Sequence, residues 1–308
     1  MNDESMITSI KNHFVTLAAN HALRLEGLPE KYPAWIIKTG DKVGVAVPYA
    51  GKKPFYADFS RAEIENLVTE NYGPVLYLSL KNDEERDIKL QFADVCYDFI
   101  RAGGDGSLRE EIAEHPEKWW QKWRCLLGDS AHSQQVHAVA GELMVWRYLL
   151  RHDLKPEWTG AKKKRIDFTA ADEAWEVKST LRRSELTVTV HGQYQLAADD
   201  GKKLNLVFCR LEESAQGESV DMLADNLKNM GIAADALERE LKSLGLRAGS
   251  VGRNRRFRCL ETRVYDVDAS FPAITAKSFA DGRFPAGIVK LDYTIDLANL
   301  PYRNWQDM

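Results

Sequence analysis

Apolar and polar positions alternate through Leu186-Thr187-Val188-Thr189-Val190, the period-2 pattern of a strand with one buried face. Leu204 to Leu211 is almost continuously apolar and predicts a central strand covered on both sides. A helix is expected between them, at Gln193–Ala198. Further upstream the period changes. Val136, Val139, Leu143, Trp146 and Leu150 fall at helical spacing and form one apolar stripe. Between that helix and the first strand, residues 165–178 form a predicted hairpin turning at Ala171-Asp172. Its register pairs residues whose numbers sum to 343. Ile166 and Phe168 then face Val177 and Trp175, giving one wholly apolar face.

The same periodicities organise the rest of the chain. Residues 7–24 predict a helix. Residues 34–38 and 43–47 predict strands around the turn Thr39-Gly40-Asp41, and 75–80 a further strand after a short helix near 61–69. Phe92 to Ile100 is helical in pattern. Gly103-Gly104-Asp105-Gly106-Ser107 marks a linker. Pro116 to Leu127 follows as a helix carrying Trp119, Trp120 and Trp123, which favour packing over base stacking. After residue 218 come two amphipathic helices broken near Gly231, a basic turn, and strands at 257–267 and 288–297. Helices followed by a basic hairpin fit either a winged-helix-like DNA reader or a structural cap. Three segments result: 1–105, a small α+β domain with no visible chemistry; 106–215, the segment of the hairpin; and 216–308, a C-terminal α+β extension.

The polar face of the hairpin holds the candidate chemistry. Strand side chains alternate faces, so Glu176 and Lys178 share a face while Val177 points away. Asp167 stands opposite Glu176, with Cβ atoms about 5 Å apart, an arrangement that is repulsive without a cation. A divalent metal is the simplest group that makes such a face worthwhile. Glu142 lies on the flank of the upstream stripe, where a carboxylate is costly unless satisfied, and Gln135 falls on nearly the same flank. The competing reading is a solvated hairpin whose charges serve solubility.

Asp167, a short spacer and Glu176-Val177-Lys178 resemble the PD-(D/E)XK nuclease motif, with Ile166 where that motif has Pro. Glu142 fits the acidic residue that these proteins take from a preceding helix. Gly141-Glu142-Leu143, Trp158-Thr159-Gly160, Ser179-Thr180, Gln195-Leu196 and the run from Val264 to Leu297 are similar to an uncharacterised bacterial family placed in this superfamily. The resemblance covers about residues 130–300. It implies a fold of the α/β (α+β multi-domain) class, with a restriction-endonuclease-like core whose mixed sheet is flanked by helices. It implies an endonuclease cutting DNA with Mg²⁺, for which Mn²⁺ substitutes. Asp167, Glu176, the Val177 main-chain carbonyl and Glu142 (through water) would hold the metal, and Lys178 would complete the catalytic set. It also implies a restriction or antiphage defence setting, with helicase/ATPase or methyltransferase partners and a possible homodimer. The other class of reading is a non-catalytic DNA-binding or scaffold subunit of such a complex, and the same core also serves RNA.

Composition bounds these expectations. The chain has 308 residues, 44% hydrophobic and 29% charged, as in folded domains. Net charge is −4, which argues against coating nucleic acid over the whole surface but leaves room for a local groove. Lys155, Lys162, Lys163, Lys164, Arg165, Lys178, Arg182 and Arg183 outnumber five acids in residues 155–183. Arg253, Arg255, Arg256 and Arg258 form a second basic cluster. Lys163, Lys164, Arg182, Arg255 and Arg256 are the candidate phosphate contacts, with Gln193 and Gln195 as polar helpers after the strand. His191 is expected to hydrogen-bond structurally. Cys96, Cys125, Cys209 and Cys259 lie far apart, so neither a zinc site nor a disulfide framework is expected, and the cytoplasm is the expected compartment. The start of the chain is polar and acidic, unlike a secretory signal, and no apolar stretch approaches the ~20 residues of a membrane span.

Overall fold

Gly40 has φ of +59°, a conformation glycine adopts without steric cost, and it turns β2 (Trp35–Thr39) back onto β3 (Lys42–Pro48). Both strands were expected. The computed structural model describes residues 3–51, 54–81, 86–127, 135–160, 166–192, 194–197, 201–279 and 281–305. These divide into two units, Met1–Gln134 with Arg247–Gly252, and Gln135–Leu246 with Arg253–Met308. Among the described residues, no helix is long and apolar enough to cross a membrane.

The first unit is a six-stranded antiparallel sheet in the order β1-β2-β3-β6-β5-β4, with β1 at His21–Arg24, β4 at Tyr56–Asp58, β5 at Ala62–Thr69 and β6 at Gly73–Leu80. Helices α1 (Asp3–Thr16) and α2 (Arg86–Ile100) bury Ile10, Phe14, Phe92 and Phe99 against Val45, Ile64 and Leu78 of the sheet. The helix expected near 61–69 is the strand β5. Ala62-Glu63-Ile64-Glu65 alternates at period 2, and Glu63 and Glu65 both pair with Lys42 across the sheet. The helix expected over 7–24 stops at Thr16, and residues 21–24 become β1 instead. Two helices, α3 (Ser107–Glu114) and α4 (Pro116–Leu127), complete the unit. Trp119 and Trp120 are buried in its core, and the Trp119 and Trp123 indole N–H groups donate to Asp98 at 3.1 and 2.8 Å. They pack, as their density suggests. Ser250 forms a bridge with Tyr56, which ties 247–252 to this unit.

The second unit is built on a mixed sheet ordered β14-β12-β11-β9-β8-β7. Its strands are β7 (Glu157–Trp158), β8 (Phe168–Thr169), β9 (Glu173–Thr180), β11 (Lys203–Ser219), β12 (Arg256–Asp266) and β14 (Arg303–Asn304). The pair β9–β11 is parallel and the other pairs are antiparallel. Alternate residues of β11 separate the two faces. Val207 and Cys209 pack with α5 (Val136–Arg151), α6 (Val220–Asn229) and α7 (Ala234–Ser243). Leu206 and Phe208 pack beneath a two-stranded ribbon of β10 (Thr187–His191) and β13 (Asp292–Asp296). The helix expected at Gln193–Ala198 is replaced over 194–196 by a turn followed by irregular chain at 197, and residues 193 and 198 lie outside the described residues. The segment is too short to nucleate a stable helix. The expected cut at 215/216 falls inside β11, and β12 pairs with β11 along its length, so the C-terminal strands share one sheet with the hairpin. The fold is α+β with mixed and antiparallel sheets.

Candidate active site

β8 pairs with β9 in the expected register, Phe168 against Trp175 and Thr169 against Ala174, and the Ala170 N–H to Glu173 carbonyl bond closes the turn. The apolar face does not extend as expected. Phe168, Trp175 and Val177 pack under α5, but Ile166 crosses to the other side, against Ala174 and Leu204. The strand therefore breaks at Asp167. Its carbonyl accepts the N–H groups of Thr159 and Gly160 at 2.7 and 3.0 Å, and its carboxylate Oδ2 accepts the Val177 N–H at 2.8 Å. Three backbone donors thus fix Asp167 in place without strand pairing of its own.

On β9, Trp175 and Val177 face the helices, so Glu176 and Lys178 face the ribbon side. Glu176 is 1% exposed and Lys178 Nζ lies 2.9 Å from its Oε1. Glu176 Oε2 is buried with no hydrogen-bond partner, which is costly for any buried polar atom. Glu142, half-buried on α5, accepts the Trp158 indole N–H at Oε2, 2.7 Å away. Gln135 is exposed at the N-cap of α5.

The three carboxyls repel one another electrostatically. Burial and Asp167 push Glu142 up to about 8, against the opposing effects of Trp158 and Lys178. Burial raises Asp167 too, opposed by the Val177 N–H and by Lys178. Burial and then Asp167 push Glu176 well above the usual carboxylate range, although Lys178 is beside it. Such a cluster retains protons until a cation replaces them. Among the described residues, no three or more His, Cys, Asp or Glu side chains converge as a ready ligand group. The donor set still fits Mg²⁺, which takes one or two carboxylates and fills its remaining places with water and phosphate. The unpartnered Glu176 Oε2 is the atom such an ion would satisfy.

Small residues make this packing possible. A Cβ on Gly141 would stand 2.0 Å from Ser179 Oγ, and one on Gly160 2.5 Å from Asp167 Oδ1. Trp158, Gly160, Gly141 and Ser179 therefore shape the site, although periodicity alone gives none of them a role. The residue trio Trp158-Thr159-Gly160 was the available signal. Trp158 holds Glu142, Thr159 donates its hydroxyl to the Ile166 carbonyl at 2.6 Å, and Gly160 makes room for Asp167.

The structure places the other candidates at several points. Gln195 Oε1 accepts the His191 N–H at 2.9 Å, and His191 Nδ1 lies 3.6 Å from Asp292. Arg182 pairs with Glu185. Arg255 pairs with Glu213 at 3.1 Å and Arg256 donates to the Ala215 carbonyl at 3.1 Å. Arg256 is seven residues along β12 from Arg263, the partner of Phe208, which itself aligns with Lys178. That spacing puts it about 20 Å from Lys178 along the strand. Arg253 is 2% exposed and bound to Asp221 and Glu238 at 2.6 Å each, so it is a structural cation and not a phosphate contact. Lys163, Lys164 and Gln193 lie outside the described residues.

A family model described as "Putative PD-(D/E)XK family member, (DUF4420)" matches residues 27–298. The chain belongs to that family. No curated protein and no solved structure matches it significantly.

Proposed function

We propose that this PD-(D/E)XK family member is a divalent-metal-dependent endonuclease that hydrolyses DNA phosphodiester bonds in bacterial restriction or antiphage defence. The observation that carries this reading is the group of half-buried Glu142 and Asp167 with buried Glu176 beside Lys178, one Glu176 oxygen being left unpartnered.

In this reading Asp167, Glu176 and the Val177 carbonyl would hold Mg²⁺, or Mn²⁺ in its place, with Glu142 assisting through water. When bound, the ion lowers the pKa of water and polarises a phosphate. Asp167 is held in position by its backbone donors, and Glu142 by Trp158. Lys178 shares the face of Glu176, where it orients the attacking water and offsets the charge that develops on the phosphate. DNA is the partner; helicase/ATPase or methyltransferase subunits and a homodimer are further expectations.

Wild type and Lys178→Ala are compared on methylated and unmethylated plasmid with Mg²⁺ or Mn²⁺. Cutting by wild type and not by the variant supports the nuclease and its lysine together. Equal cutting by both removes Lys178 from the mechanism. The second reading is a DNA-binding scaffold with an inactive core. Absence of both cutting and metal uptake by calorimetry would select it.

A further inference from the structure

A groove of about 460 Å³ opens beside Lys178, lined by Arg182, Thr187, Thr189, His191 and Thr294 among others. Its walls follow from strand alternation. Val188 and Val190 of β10 are buried with Leu206 and Phe208, so Thr187, Thr189 and His191 face outward. Thr294 stands opposite Thr189 on β13, with the two hydroxyls 3.3 Å apart. Lys178 aligns with Phe208 in the parallel pair, and both line the groove. The face that carries Glu176 and Lys178 therefore runs directly into a row of hydroxyls.

The loop at the groove's edge is held by a buried cation. Arg210, 8% exposed, donates from Nη1 to the carbonyls of Arg182, Arg183 and Glu185 at 2.8, 2.6 and 3.4 Å. Its Nε donates to Glu261 at 3.2 Å. One guanidinium tied to three carbonyls within residues 182–185 restrains the loop that carries Arg182, so a ligand need not pay that ordering cost on binding. Arg182 is at present exposed and paired with Glu185, an interaction weak enough in water to yield to a phosphate. Lys178 and Arg182 outnumber Glu185 among the fully charged lining residues. Asp292, opposite His191, is engaged by Lys290 at 2.7 Å, and Asp296 stands opposite Thr187. The groove thus offers a few placed donors and not a broad basic surface.

We propose that this groove is the track for one DNA strand beyond the scissile phosphate. Arg182 contacts a phosphate, and the hydroxyls of Thr187, Thr189 and Thr294 hold the sugar–phosphate backbone. The proposal rests on the nuclease reading for its substrate, but its test does not require cleavage.

Binding of fluorescein-labelled single- and double-stranded DNA is measured by anisotropy without divalent metal, across a salt series. Wild type is compared with Arg182→Ala and with the double variant Thr189→Val/Thr294→Val, each checked for an unchanged melting temperature. Arg182→Ala is expected to weaken binding about tenfold and to reduce the slope of log Kd against log salt by about one. The double valine variant is expected to weaken binding at unchanged slope, because hydroxyls carry no charge. Wild-type affinity in both variants, or no DNA binding by wild type, overturns the proposal. Plasmid cleavage is scored separately. Cutting that depends on Lys178, with unaffected binding in the groove variants, leaves the nuclease and removes the groove. Weakened binding in those variants, with no cutting by wild type, leaves the groove and removes the catalysis.

Discussion

Lys178 Nζ lies 2.9 Å from Glu176 Oε1, two residues back on the same face of one strand. The ammonium is held by a buried carboxyl that has a second oxygen unpartnered, so it is tethered but not fully neutralised. Lys178→Met is expected to lower plasmid cleavage by about a hundredfold or more, while the circular dichroism spectrum is kept. Retention of full cleavage would remove Lys178 from the mechanism.

The carboxyl cluster makes stability fall with pH. Glu142, Asp167 and Glu176 have raised folded values, so the native state holds more protons than the unfolded state above the ordinary carboxylate range. The stabilisation is full below about pH 4 and is lost as pH rises toward the Glu142 value of about 8. Metal-free protein should melt at lower temperature at pH 8 than at pH 6. Glu142→Gln should raise stability at pH 8 by on the order of 1–2 kcal/mol. Calorimetric melting at both pH values checks the sign, and a flat profile in wild type would contradict it.

Gly141 faces Ser179 across the contact of α5 with β9. Gly141→Ala places a methyl 2.0 Å from Ser179 Oγ and is expected to cost about 1–3 kcal/mol, despite alanine's better helix propensity. Adding Ser179→Ala removes the clashing hydroxyl and should restore part of the loss. Urea unfolding of the single and double variants measures the coupling; additive effects would show that the two positions do not meet.

Arg253 separates packing from substrate contact. Arg253→Met leaves Asp221 without this cation and Glu238 with only Lys228, and is expected to destabilise by about 3 kcal/mol. Glu238, held at about 2 chiefly by the Arg253 hydrogen bond, should rise toward the ordinary range. DNA affinity at a temperature where the variant is folded should be that of wild type. A large loss of affinity there would return Arg253 to the binding surface.

The sequence by itself determined the elements whose pattern is local. The stripe from Val136 to Leu150 produced α5, and the hairpin turn and register emerged as its alternation predicts. Glu176 and Lys178 share a face because strand side chains alternate, a fact of covalent geometry that no packing alters. The helix expected at 61–69 is a strand because the period-2 alternation of Glu63 and Glu65 with apolar neighbours outweighs the helix propensity of its residues.

Only the tertiary structure decided what lies around these residues. Ile166 crosses the sheet because Ala174 and Leu204 offer it a pocket there, and that crossing releases Asp167 from the strand. Trp158 reaches Glu142 only because β7 pairs beside β8. The basic runs looked alike in the sequence, yet Arg253 is buried in an ion network while Arg182 edges a groove. Charge is a property of the residue. Whether that charge meets a carboxylate, a carbonyl or a ligand depends on residues distant in the chain, which the folded sheet alone brings together.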